Sequence, residues 1–219
     1  MKKKILVLIA LVLCLSLVGC GKKEEKEVPK EMELVAKKLH SNIPDDIMNK
    51  YNAGISNYEV KLEALLYLGS QVVEGTNYMF LTKSEDNKYK VVIIYENLEG
   101  VVTVSKVTDF DLTKYNKESI SGTQSQLLGG WIVNSTVLEK NPEEETIIGY
   151  VSEAVQYYAG VNYVPLYVLG EKDNYYSLLA LEKVLSEEPN YSMKVITISK
   201  SEKESKVEYN SFLNLEEFN

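Results

Sequence analysis

The chain has 219 residues, 24 basic against 32 acidic, with a net charge of −8 at neutral pH. An acidic chain without a single arginine excludes the clustered basic surface that nucleic-acid binding needs, and it excludes guanidinium clamps for phosphate or carboxylate. Two cysteines, Cys14 and Cys20, and one histidine, His40, leave little for thiol, imidazole or Cys-ligated zinc chemistry, so the chain does not read as an enzyme and no catalytic residue, metal site or cofactor is expected.

The first element is Met1-Lys2-Lys3-Lys4, followed by an apolar run from Ile5 to Val18 and then Gly19-Cys20. A basic start, a short apolar core and small residues at the cut describe a secretory signal peptide. The apolar run is short for a membrane span, which takes roughly 17 to 25 residues. Leu17-Val18-Gly19-Cys20 resembles the lipobox of bacterial lipoproteins. That resemblance implies a signal peptide over residues 1–19, cleavage before Cys20, and acyl chains such as palmitate on Cys20. The protein is then held at the extracytoplasmic face of the cell membrane. Loss of the leader removes Cys14 and three lysines, which leaves 21 basic residues against 32 acidic and a net charge near −11. Residues 20–30 mix charges of both signs with one buryable side chain, Val28, and read as a tether.

From Glu31 to His40, Met32, Val35, Ala36 and Leu39 fall at i, i+3, i+4 and i+7, which predicts a short helix ending at His40. Pro44 starts a second helix with Asp45 and Asp46 in its first turn, Ile47, Met48 and Tyr51 as its apolar face, and Gly54 as a stop. The period then changes. Val60–Val72, Thr76–Lys83, Lys88–Tyr95 and Val101–Asp109 are β-rich runs separated by turn-like residues. Residues 112–128 are polar and read as a linker.

The second half opens on Gly129-Gly130-Trp131, with a strand-like run from Trp131 to Leu138. Asn141-Pro142-Glu143-Glu144 combines an N-cap, a first-turn proline and an acidic first turn, and a helical stripe from Ile147 to Tyr158 follows it. Strand-like runs then cover Tyr163–Leu169, Asn174–Leu185, Tyr191–Lys200 and Lys206–Leu213. The halves echo one another: Leu68-Gly69 matches Leu169-Gly170, and Asn77-Tyr78 matches Asn174-Tyr175. Seven residues separate these pairs in the first half and three in the second.

Those seven residues hold Gln71-Val72-Val73-Glu74-Gly75, a strand, a tight turn and a glycine free to take positive φ. The motif resembles the Gln-x-Val-x-Gly hairpin of the cystatin family, and the pattern from Leu68 to Tyr78 is similar to cystatin-like repeats of secreted bacterial proteins. The resemblance implies an α+β fold: two cystatin-like units, each a helix packed on a four-stranded antiparallel sheet, over residues 31–111 and 129–219. It also implies that the hairpin belongs to a wedge that enters the cleft of papain-like cysteine proteases. In cystatins a glycine near the N-terminus joins that wedge, and here the Gly pair lies in the other half. The Pro-Trp of the last cystatin hairpin is missing from both halves.

Other constellations are weaker. Glu143-Glu144-Glu145 fits a helix N-terminus without a metal, and Asp109 with Asp111 fits a solvated loop. The sixteen tyrosines, several alternating on strands, fit a half-buried sheet with hydroxyls in water, or a sugar-stacking face. The expected function is that of a surface lipoprotein and protein-binding module, with Gln71–Gly75 acting as a cystatin-like inhibitor of a papain-like protease. The alternative is a non-inhibitory envelope or adhesion module that binds protein or glycan. Its expected partners are the membrane, through the lipid, and a protease or another surface protein.

Overall fold

The computed structural model describes residues 28–116 and 129–219. The expected signal peptide, the lipobox-like residues and Cys20 lie outside the described residues, as do most of the expected tether and the body of the expected linker. Among the described residues there are twelve strands and two short α-helices.

The long strands are almost continuous apolar runs of β-branched and aromatic residues. In β4 (Gly75–Ser84), Tyr78 and Phe80 face one apolar cluster while Met79 and Leu81 face another. In β5 (Tyr89–Glu96), Val92 and Ile94 alternate with Val91 and Ile93 in the same way. A strand that is apolar on both faces must be covered on both. One face of this sheet takes helix α1 (Asp45–Ile55), whose Tyr51 packs on Phe80 with ring centroids 4.9 Å apart. The other face meets a second sheet. That sheet contains β9 (Val161–Lys172), β10 (Tyr175–Val184), β11 (Asn190–Lys200) and β12 (Ser205–Phe212), and it carries α2 (Glu145–Val155) on its far side. Between the sheets, Leu66, Leu68, Met79, Leu81 and Val91 pack with Leu166, Leu169, Leu179, Met193 and Val195. The layers therefore run helix, sheet, sheet, helix.

Each large sheet has five strands, and the fifth belongs to the other half. β1 (Glu33–Lys38) pairs with β9, and β7 (Ile132–Val133) pairs with β3 (Leu62–Val73). The first-half sheet thus runs β6-β5-β4-β3-β7, with β6 spanning Val102–Asp109, and the second runs β1-β9-β10-β11-β12. The two crossing segments touch where β2 (His40–Ser41) pairs with β8 (Glu139–Lys140). Both crossings pass a glycine. A Cβ on Gly69 would lie 2.3 Å from the Ile132 carbonyl oxygen, and one on Gly170 would lie 2.6 Å from the Met32 Cβ. These are the glycines of the two echoed Leu-Gly pairs.

This corrects the expected fold class. The molecule is mostly β rather than two α+β units that each place a helix on a four-stranded sheet. Each sheet needs a strand from the other half, and the two share one core. The reason is burial: a helix covers one sheet face, and the apolar runs demand cover on the second.

Three local expectations are corrected as well. Residues 33–38 form a strand, not a helix. A bulge between Leu34 and Lys37, with Ala36 at φ 50°, breaks the alternation. Met32, Leu34 and Ala36 then pack on the inter-sheet core while Val35 and Leu39 join a cluster with α2, which imitates a helical stripe. Gly54 does not stop α1; it lies inside the helix, where a Cβ would come 2.9 Å from Ile94. The run from Trp131 to Leu138 contributes only two strand residues, because Trp131 turns into the core and is fully buried. Leu112, Tyr115 and Asn116, at the start of the expected linker, are also buried.

Candidate functional site

The β3–β4 hairpin closes tightly, with Val73 opposite Gly75 and Glu74 alone at the tip. Gly75 sits at φ 124°, and a Cβ there would lie 2.4 Å from the Glu96 carbonyl oxygen. Only glycine meets both conditions. The Tyr95 hydroxyl donates to the Glu74 carbonyl (2.5 Å) and fixes the turn from the neighbouring strand. Val72 and Val73 are left 62% and 45% exposed, an unusual state for two adjacent valines.

Gln71 does not face solvent as a free contact. Its amide accepts from Asn77 Nδ2 (3.1 Å) and donates to the Gly129 carbonyl (2.7 Å). Strand exchange therefore sets the Gly129-Gly130 pair of the second half beside the Gln71–Gly75 loop of the first. The β5–β6 turn lies at the same end, because Thr76 pairs with Glu96 and Asn97–Val101 follow directly. Its Leu98 is exposed, as is Ile132 on β7. Val72, Val73, Leu98 and Ile132 form a scattered apolar edge at this end.

Behind the edge sits an ionic cluster. Lys50 of α1 reaches both carboxylate oxygens of Glu96 (2.5 and 2.6 Å), and the Tyr78 hydroxyl donates to the same carboxylate (2.8 Å). Lys50, and then Tyr78, hold the Glu96 carboxyl below its ordinary value of 4.5. A depressed carboxylate stabilises the fold fully above its unfolded pKa and loses that contribution as pH falls through the folded one. The stability gap between the parent and Glu96→Gln is thus expected to be constant near neutrality and to shrink below about pH 4.5. Urea unfolding of both proteins across the acid range checks this. A gap that widens on acidification would show that Glu96 is not held ionised by Lys50.

The remaining candidates are structural. His40 Nδ1 lies 2.5 Å from the Pro165 carbonyl, at the point where the halves cross. Asn141 caps the turn at Glu143, and Glu145 pairs with Lys140 (2.7 Å). Asp109 pairs with Lys90 (2.5 Å), and Asp111 caps Thr113. Among the described residues no three His, Cys, Asp or Glu side chains gather as a metal site, and no helix is long and apolar enough to cross a membrane. A cleft of about 560 Å³ beside Tyr58, Val60 and Lys83 opens at the opposite end of the first-half sheet from the hairpin.

Sequence reasoning missed Asn42 and Asn134. Asn42 Oδ1 accepts from the Tyr67 N–H while its Nδ2 donates to the Tyr67 carbonyl, and Asn134 Nδ2 donates to that same oxygen. These side chains close the β3 edge beyond the short β7. A buried asparagine has no sequence signature, so no pattern points to either.

Comparison with family models, with curated proteins and with solved structures found no match.

Proposed function

We propose that the protein is a surface lipoprotein, anchored through Cys20, that binds other proteins through the Gln71–Gly75 edge in the manner of a weak cystatin-like inhibitor of papain-type proteases. The observation that supports this reading is the exposure of Val72 and Val73 on a turn braced by Tyr95 from the neighbouring strand, with Gly129 hydrogen-bonded alongside. Bracing lowers the entropy lost on binding. Burying two valines contributes only a few kcal/mol, so tight inhibition is not expected. The described chain begins beside β9, where Glu33 pairs with Glu171 and the Ala36 N–H donates to the Tyr89 hydroxyl. Tyr89 starts β5, and Glu96, next to the hairpin, ends it. A strand of that length rises about 25 Å, which separates the tip from the start of the described chain.

Full-length Cys20→Ser protein, which in this reading leaves the membrane fraction, provides the soluble form to titrate against papain. Weak inhibition that disappears in Val73→Asp with the fold intact is the expected result. Persistence of the Cys20→Ser protein in membranes would remove the anchor. Inhibition unaffected by Val73→Asp would place the contact elsewhere. The alternative of a non-inhibitory adhesion module finds support in Tyr157, which is 87% exposed after α2, and in Leu185 and Tyr158 near it. Absence of papain inhibition would favour that reading.

A further inference from the structure

Trp131 is the only tryptophan in the chain and is completely buried. Its indole N–H donates to Asn219 Oδ1 (2.8 Å), and its backbone N–H donates to Glu216 Oε1 (3.2 Å). Asn219 Nδ2 in turn donates to Glu216 Oε2 (2.7 Å), so each partner of Trp131 is held by the other. Both lie on or beside a short 3-10 turn, Leu215–Phe218, whose Leu215 and Phe218 are buried in the inter-sheet core. On its other side Trp131 leads directly into β7, which pairs with Gly69 and Ser70 and stands next to Gly129, the acceptor of Gln71. β7 makes only two strand pairs, whereas β1 at the equivalent edge makes four. So short a strand does not hold itself in register; it is held at one end by Asn134, whose N–H donates to the Leu68 carbonyl (2.9 Å), and at the other, beside Gly129, by the tryptophan.

We infer that Glu216 and Asn219 are positioning residues for the Gln71–Gly75 edge and act on it through Trp131. The indole is buried but Asn219 and Glu216 lie at the surface, so loss of Asn219 replaces a fixed acceptor by mobile water and releases the ring. Trp131 then shifts, β7 loosens on β3, and Gln71 loses its acceptor. The hairpin becomes mobile although nothing in it has changed. The consequence for partner binding rests on the reading above, while the coupling itself does not.

The test uses the full-length Cys20→Ser protein and needs no partner. In Asn219→Ala, acrylamide quenching of Trp131 should rise about twofold, and amide exchange at Ser70 and Gln71 should speed up about tenfold, with far-UV circular dichroism unchanged. Glu216→Gln, which keeps an oxygen for the Trp131 N–H but sets an amide against Asn219 Nδ2, should do the same to a smaller extent. Val151→Ala, which weakens the α2 cluster away from Trp131, should leave both readouts alone. In a Trp131→Phe background, which has no indole N–H to satisfy, Asn219→Ala should add nothing to hairpin exchange. Unchanged quenching, released Trp131 with wild-type hairpin exchange, or an equal effect of Asn219→Ala in the Trp131→Phe background would each overturn the assignment. If the coupling holds and papain never binds, only the proposed function falls.

Discussion

Gly69→Ala should cost the protein about 3 to 5 kcal/mol, the scale of losing one large buried aromatic. The added Cβ would lie 2.3 Å from the Ile132 carbonyl oxygen and 3.2 Å from its carbonyl carbon. Both are backbone atoms and cannot rotate away. Leu215 Cδ1, at 3.1 Å, closes the remaining direction. Relief requires β7 to leave the β3 edge, which withdraws Trp131 from its site and breaks the bond from Gln71 to Gly129. Gly149→Ala is the matching control. It lies in α2 with nothing within 4 Å of the added Cβ, so it should gain up to about 1 kcal/mol from helix propensity. Urea unfolding of the two variants decides the matter. If Gly69→Ala unfolded within about 1 kcal/mol of the parent, β7 would not press on β3 as described.

The second large effect is expected at Glu182. This carboxylate is largely but not fully buried, with its side chain 12% exposed, on the α2 side of the second-half sheet. It accepts from the Tyr163 hydroxyl and from Ser192 Oγ (3.0 Å) and pairs with Lys194 Nζ at 3.4 Å. Lys194 also lies over the Phe212 ring at 5.5 Å, and Asn210 Nδ2 donates to the Tyr163 oxygen (2.8 Å). Burial, and then the bond to Glu182, pushes the Tyr163 phenol far up, so it remains a donor at neutral pH. Glu182→Ala deprives three donors at once and strands a buried ammonium, which typically costs about 3 to 5 kcal/mol. Replacing both charges, in Glu182→Ala with Lys194→Met, should recover a good part of that loss because no uncompensated ion remains. A double variant at least as unstable as Glu182→Ala alone would mean that the lysine finds another partner or water.

Local pattern carries information only about local structure. The long strands could be read from their β-branched and aromatic runs, and α1 and α2 from Pro44 and from Asn141-Pro142, because those signals act within a few residues. Residues 33–38 could not, since a bulge at Ala36 gives strand residues the spacing of a helix. The pairing of Glu33 with Glu171 leaves no mark beyond a small residue at the crossing, and Gly69 and Gly170 in the echoed pairs were that mark. At the site, the tight turn followed from Glu74-Gly75. The meeting of Gln71 with Gly129 did not, because the two lie in different halves and only β7 brings them together. An apolar run that feeds both faces of a sheet was the one sequence-level sign that a second sheet had to lie there.

Reciprocal strand exchange also imposes an order on biosynthesis. Translation delivers β1 first, yet its neighbour β9 emerges only after the whole first half has been made. The first-half sheet in turn waits for Ile132 and Val133 before its β3 edge is closed. The first-half sheet therefore cannot close until the second half has begun, and the second-half sheet stays open until its last strands arrive. Contacts this distant in sequence make closure slow. The interlock that binds the halves together at the end also leaves both of them incomplete through most of synthesis.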